Sequence, residues 1–357
     1  MPHPPISTVR ALPLSLLVAT GLWAMPTTAS ARGRVALQGD WAPADDRDIA
    51  KFCRKHNAVT GQLTINGNWP HTDLAPLRCI ERIGGALVIH SAPLLERLDG
   101  LDGIKGNDGV VLRTLRVVDN PKLHTVAGLA STGLRTQHLM ISGNDVLMRI
   151  DSLGGLVSNG ELRITGNRKL DEIVGPPGHK AGIHLNTLVI GNNPALTSVQ
   201  GFDRIGQIDE LSVTVNASLR SIGGFPDLVR AGAWTVRGNP SLQSWTGGLQ
   251  LSHVDTLIIE DNDSLKRLPE LESLQQVTRL RISDNDLLTS LDGIGGMGAV
   301  GGGRAVRPVC DEVVVEANDV LPDGAAEALI LRLELPDRPG TTSIRANGGA
   351  LRPDGGQ

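Results

Sequence analysis

The chain has 357 residues, 40% of them hydrophobic, with 43 glycines, no tyrosine and three phenylalanines. Lysine and arginine number 34 against 38 acids, a net charge of −4 with the signs interspersed, which excludes the basic face that nucleic-acid binding requires. The apolar content is nearly all Leu, Ile, Val and Ala, so the expected core is a set of thin aliphatic layers without the usual aromatic bulk.

Residues 1–31 read as a secretory signal peptide. Arg10 precedes the apolar run Ala11 to Met25, and Ala29-Ser30-Ala31 fits the small-x-small cleavage rule. Loss of Arg10 with this leader takes the net charge from −4 to −5. No cysteine follows the run closely, so no lipid anchor is expected. No later segment is long and apolar enough to span a membrane. The expected destination is outside the cytoplasm: periplasm, cell surface or medium. Residues 32–58 form an N-terminal segment with a helical cap. Within it "ADDRDIAKFCRKH" (44–56) begins with acids and places Ile49, Phe52 and Cys53 on one face.

From 59 to 321 the chain repeats L-x-I-x-x-N-x-x-L. The asparagines are Asn68, Asn120, Asn144, Asn167, Asn193, Asn216, Asn239, Asn262, Asn285 and Asn318, and Ala92 stands at the same place in one copy. From Asn193 to Asn285 the spacing is 23 residues at each step. A fixed period in this range means a solenoid. In each copy L-x-I is a two-residue alternation, so Leu and Ile share one face of a short strand. The x-x-N-x stretch is a turn. The next leucine re-enters the interior, with another apolar residue three places on (Ile173, Val199, Ile222, Leu268, Leu291). A glycine then permits the following corner. The expected fold is all-β: a single-stacked parallel β-helix, or solenoid, of about eleven coils of 23–28 residues with short helical caps. At strand spacing such a stack is a rod of about 50 Å. Inward asparagines would form a column that satisfies the polar backbone groups buried at the corners. Asn216-Ala-Ser and Asn262-Asp-Ser match the N-glycosylation pattern, but inward side chains make both matches coincidental.

Leucine-rich repeats place a leucine two residues after the asparagine; here it comes three after. With that register, "LDGLDGI", and an opening of "AVTGQLTI" then "DLAPLRCIERIGGALVI" after a cysteine, the region from about 53 to 321 resembles the receptor L domain. That module forms the ligand-binding lobes of insulin- and growth-factor-receptor ectodomains, and similar repeats occur in secreted bacterial and fungal surface proteins. The resemblance implies a β-helix of short parallel strands.

At 322–335, "PDGAAEALILRLE" predicts a second capping helix, with Asp323 as N-cap and Ala326, Leu329 and Leu333 inward; residues 336–357 form a tail. Three cysteines allow three pairings. Cys53 and Cys79 are 26 residues apart, close to one period, so a bridge between adjacent layers is expected. Cys310 should be free, or pair between chains. Insertions interrupt the period at 104–114, 174–184 and 293–308.

Chemistry is sparse. Gly293 to Gly298 matches G-x-G-x-x-G, but no helix can follow it, so it reads as a flexible loop. No hydrolase, zincin or P-loop motif is present, and no histidine pair has metal-ligand spacing. The acidic corner Asp261, Asp263, Asp284 and Asp286 should stack layer on layer. It suggests a calcium site or paired carboxylates acting on a sugar, against the plain alternative of a solvated turn. The expected function is that of a non-catalytic recognition or structural module without a cofactor. It would bind a protein or glycan through the solenoid surface, where Thr64, Arg116, Arg163, Thr235 and Arg281 point outward. The alternatives are a polysaccharide-acting enzyme using the four aspartates and a calcium-stabilised surface scaffold.

Overall fold

The L-x-I alternation puts two aliphatic side chains per coil on the inner face of a strand, and one coil cannot bury them unaided. In the computed structural model, stacking solves this. The structure describes residues 33–104, 112–132, 135–151, 153, 155–175, 183–294, 309–322, 324–333, 342–345 and 347. The expected leader, Asp323 and most of the three insertions lie outside these residues.

The fold is an all-β parallel solenoid. Its principal face is a 12-stranded sheet in which strands from successive coils pair in parallel, from Leu63–Ile65 to Thr342–Arg345. Register places like on like. Leu188 faces Leu211, which faces Trp234; Ile190 faces Val213, which faces Val236. Strands in the middle of the stack are longer than three residues. His253–Glu260 buries Val254 as well as Leu257 and Ile259, with Asp255 and Thr256 both outward. Two successive outward residues bend the strand around the core and break simple alternation.

A second face is a five-stranded parallel sheet of short strands: Arg149–Ile150, Glu172–Val174, Ser198–Gln200, Ser221–Ile222 and Ser244–Trp245. Ile173, Val199 and Ile222 turn inward there, as the spacing requires, and Leu268 and Leu291 are buried at the same place in later coils. Each fully buried Leu or Ile side chain contributes about 1.5–3 kcal/mol of transfer free energy.

Strand pairing continues past both limits of the repeat. Val35–Leu37 pairs with His56–Val59, which pairs with Arg82–Ile83. Between them runs helix α1 (Asp46–Lys55), whose N-cap Asp45 accepts the N–H of Asp48. It buries Ile49 and Phe52, and Phe52 stacks on Trp41 with ring centroids 3.9 Å apart. Cys53 of α1 is bonded to Cys79 across one period, with Cα atoms 5.6 Å apart. Near the other end, helix α2 (Ala325–Arg332) buries Ala326 and Leu329, and Leu333 follows them inward. Its N-cap is Gly324, at φ 81°, and makes no side-chain cap bond. Among the described residues no helix is long and apolar enough to cross a membrane.

Besides Phe52 and Trp69 in the first coils, the core departs from thin aliphatic layers around Trp234. Trp234 takes the leucine position, and Phe202, Phe225, Trp234 and Trp245 form a chain of ring contacts 4.9–6.0 Å apart. The extra volume is offset one coil on. Gly248 occupies the position held by Phe225 in the coil before, and a Cβ there would lie 3.2 Å from the Trp234 ring.

Glycine is needed for a second reason at the preceding residue of these coils. Gly201, Gly224 and Gly247 have φ of 82°, 108° and 110°, and each backbone lies directly on the next. A Cβ on Gly224 would run into the carbonyl of Gly201. Gly224→Ala is therefore expected to cost at least about 2 kcal/mol of stability in urea unfolding, through backbone strain and backbone contact together.

Candidate functional site

From Asp119 to Ala317, each corner after the principal strand carries a left-handed residue and then an asparagine. The left-handed positions include Asp119, Gly143, Gly166, Asn192, Val215, Gly238, Asp261, Asp284 and Ala317, with φ between 53° and 69°. Glycine, asparagine and aspartate tolerate this conformation, whereas a β-branched residue does not. Val215, 58% exposed at φ 57°, is the strained member.

The asparagines form a continuous ladder. Asn120 Nδ2 donates to Ile89 O at 3.2 Å in the coil before and to Asn144 Oδ1 at 3.1 Å in the coil after, and Asn120 N–H shares that same oxygen at 3.1 Å. The pattern recurs at Asn144, Asn167, Asn193, Asn216, Asn239, Asn262, Asn285 and Asn318, all fully buried. One carboxamide thus ties three coils. Asn216 and Asn262 are both rungs, so the folded chain leaves no room for a glycan on either.

Asn68 does not belong to the ladder. It is exposed, and its N–H bonds to Asn66 Oδ1 at 3.0 Å. One coil on, Ala92 offers no Oδ1 to which an inward Asn68 could donate, and no asparagine in the coil before would donate to it. The ladder instead begins with Ala92 N–H donating to Asn120 Oδ1 at 3.1 Å. At the far end it gains Asn347, whose Oδ1 accepts from Asn318 Nδ2 at 3.0 Å and whose Nδ2 donates to Val315 O at 2.7 Å. Sequence reading missed this rung because Thr342 stands where leucine is expected. The remaining signal, Ile344 followed three residues later by Asn347, keeps the register.

The acidic corner does gather charge. Asp263 has its carboxyl raised above 3.8, first by partial burial and then by repulsion from Asp286, Asp261 and Asp284. Asp261 is engaged by Arg237 at 3.3 Å, and Arg237 also reaches Glu260 at 3.4 Å. Arg281 pairs with Glu316 at 2.8 Å. Among the described residues no group of three or more His, Cys, Asp or Glu side chains is placed to hold a metal ion, the four aspartates included. The corner holds ion pairs and left-handed turns in place of a converging ligand set.

Cys310 is free, fully buried, and donates its thiol to Glu312 O at 3.3 Å; desolvation pushes it up to about 11. Such a thiol is inert toward exchange with the Cys53–Cys79 bridge at neutral pH. The G-x-G-x-x-G stretch beyond Ile294, and His179, lie outside the described residues. His184 pairs with Asp209 at 2.7 Å. A shallow hollow of about 350 Å³ over Gly201, Gly223 and Gly224 is lined by Gln200, Asp203, Ser221 and Thr246. It contains one carboxylate and neither histidine nor cysteine.

On the principal face the outward row runs Thr64, Val88, Arg116, Met140, Arg163 over successive strands. Exposed large apolar residues include Leu94, Met148, Val215 and Leu249 in different coils, and Leu287 and Val320 at the same corner position of successive coils. Trp69, Trp234, Trp245, Phe52, Phe202 and Phe225 are all buried, and Trp41 is half-buried. No protein-family model matches the chain, and no curated protein matches it significantly.

Because Asp263 is raised, the folded protein holds its proton more tightly than the unfolded chain does. That contribution is complete below the ordinary value of 3.8 and is lost as pH rises through the folded value. Asp263→Asn should therefore be slightly more stable than wild type at neutral pH, by less than about 0.5 kcal/mol given solvent screening. The gap should close below 3.8. Urea midpoints measured across pH check both sign and window.

Proposed function

We propose that this chain is an exported, non-catalytic recognition module that binds a protein partner through the outward face of its 12-stranded sheet. The observation that carries this is the face itself. It is a parallel sheet whose outward side chains stand at strand spacing and in whose outward row Arg116 and Arg163 flank Met140. Arginine and methionine are favoured at protein interfaces, with arginine prominent among energetic hot spots. A glycan partner is less well served. Flat sugar rings are commonly held on exposed aromatic faces, and the described aromatic rings here are buried or half-buried, in a chain without tyrosine.

Export is supported by the Cys53–Cys79 bridge, since such bonds persist in oxidising compartments, and by the leader-like residues 1–31. The receptor L-domain resemblance fits a parallel solenoid with a disulfide at its first layers and adds weight to a binding role. Of the four aspartates a catalytic reading would use, Asp261 is engaged by Arg237, and fold alone argues for no activity.

The test compares wild type with Arg116→Glu/Arg163→Glu against purified surface proteins of the source cell and against a glycan array. Protein binding that falls at least about tenfold in the variant is expected, equivalent to about 1.4 kcal/mol. Binding only to glycans, or polysaccharide cleavage abolished by Asp284→Ala, contradicts the proposal.

A further inference from the structure

The first coil is the place where a corner asparagine escapes the ladder, and its chemistry differs there. Asn66, Gly67, Asn68 and Trp69 form a tight turn. Asn66 Oδ1 accepts the N–H of Asn68 at 3.0 Å, and Asn66 O accepts the N–H of Trp69 at 2.9 Å. This Asx turn holds the Asn66 carboxamide beside the Gly67 peptide, and the hydrogen bond to Oδ1 polarises the carbonyl that the Gly67 nitrogen attacks. Gly67 has no side chain to obstruct that approach. Asn66 is half-buried, and Gly67 and Asn68 are exposed, so water and base reach the turn.

We propose that Asn66 is a site of spontaneous deamidation. The Gly67 nitrogen loses its proton to base and attacks Cγ of Asn66. A C–N bond forms and the carboxamide C–N bond breaks. The leaving nitrogen takes up a proton and departs as ammonia. Water then opens the five-membered succinimide at either carbonyl, giving aspartate or isoaspartate. No oxidant or cofactor enters. Asparagine is among the thermolabile residues, and the ladder protects its own members. Its nine fully buried rungs have carboxamides fixed by hydrogen bonds on two sides. Asn120, Asn193 and Asn239 are each followed by proline, whose nitrogen has no proton to lose. Of the other Asn–Gly pairs, Asn347 is tied into the ladder, and Asn159 carries no such turn bond among the described residues.

The isoaspartate product inserts a methylene into the backbone three residues before Trp69. That side chain is 2% exposed and donates its indole N–H to Asp73 O at 2.9 Å. Conversion should therefore loosen the first coil beside the α1 cap and leave the ladder intact.

The experiment incubates the intact, disulfide-bonded protein at mildly alkaline pH beside the same chain denatured in guanidinium, with peptide mass mapping over time. In the folded protein the Asn66 peptide should convert to acid and isoaspartate no more slowly than in the denatured chain. Peptides holding Asn193, Asn216 and Asn239 should stay amidated when folded. Asn66→Ser, which keeps a hydroxyl acceptor for the turn, should abolish the conversion. An Asn66 peptide that remains amide in the folded protein while the denatured chain converts overturns the proposal.

Discussion

A solenoid turns its backbone at every corner, and each turn leaves N–H and C=O groups facing an interior that water does not enter. Those groups have to be bonded or the stack does not form. Here a single side-chain type meets the requirement. Each ladder carboxamide donates to the carbonyl of the coil before and to the oxygen of the next rung, while its own oxygen takes donors from the coil before. Register between coils follows from this. A one-residue slip would move every asparagine off its partner and every leucine to the wrong face.

The aliphatic layers and the glycine corners are subordinate to that register. Leu, Ile and Val fill what the ladder aligns, and Gly201, Gly224 and Gly247 let backbones lie directly on one another where a Cβ would not fit. The aromatic patch around Trp234 shows how far the layers stretch. One tryptophan is accepted because the following coil gives up its side chain at Gly248. The indole N–H groups of Trp234 and Trp245 find no partner there.

Much of this was legible in the sequence because a repeat states the same geometry many times. The L-x-I period gave the principal strands, the spacing gave the inward turn of Ile173, Val199 and Ile222 but not the five-stranded sheet they build, and the 26-residue separation gave the Cys53–Cys79 bridge. What escaped depended on neighbours in space. Asn68 matches the motif and still lies outside the ladder, with no rung in the coil before and, at Ala92, no oxygen in the coil after. Asn347 lacks the leading leucine and still joins, because Asn318 offers donors. For the acidic corner the sequence left a ligand set and a solvated turn both open, and the contact of Arg237 with Asp261 could not be read along the chain. Binding on the broad face leaves the weakest trace, since outward residues are constrained by a partner that is absent from the chain.

The central claim, that buried carboxamides bind coil to coil, is tested most directly by comparing two alanine substitutions in denaturant unfolding. Asn216→Ala removes a rung and strands the partners on both sides, and a loss of about 1–3 kcal/mol is predicted. Asn68→Ala alters the same motif position outside the ladder, and a change within about 0.5 kcal/mol is predicted. Equal costs for the two would contradict the account.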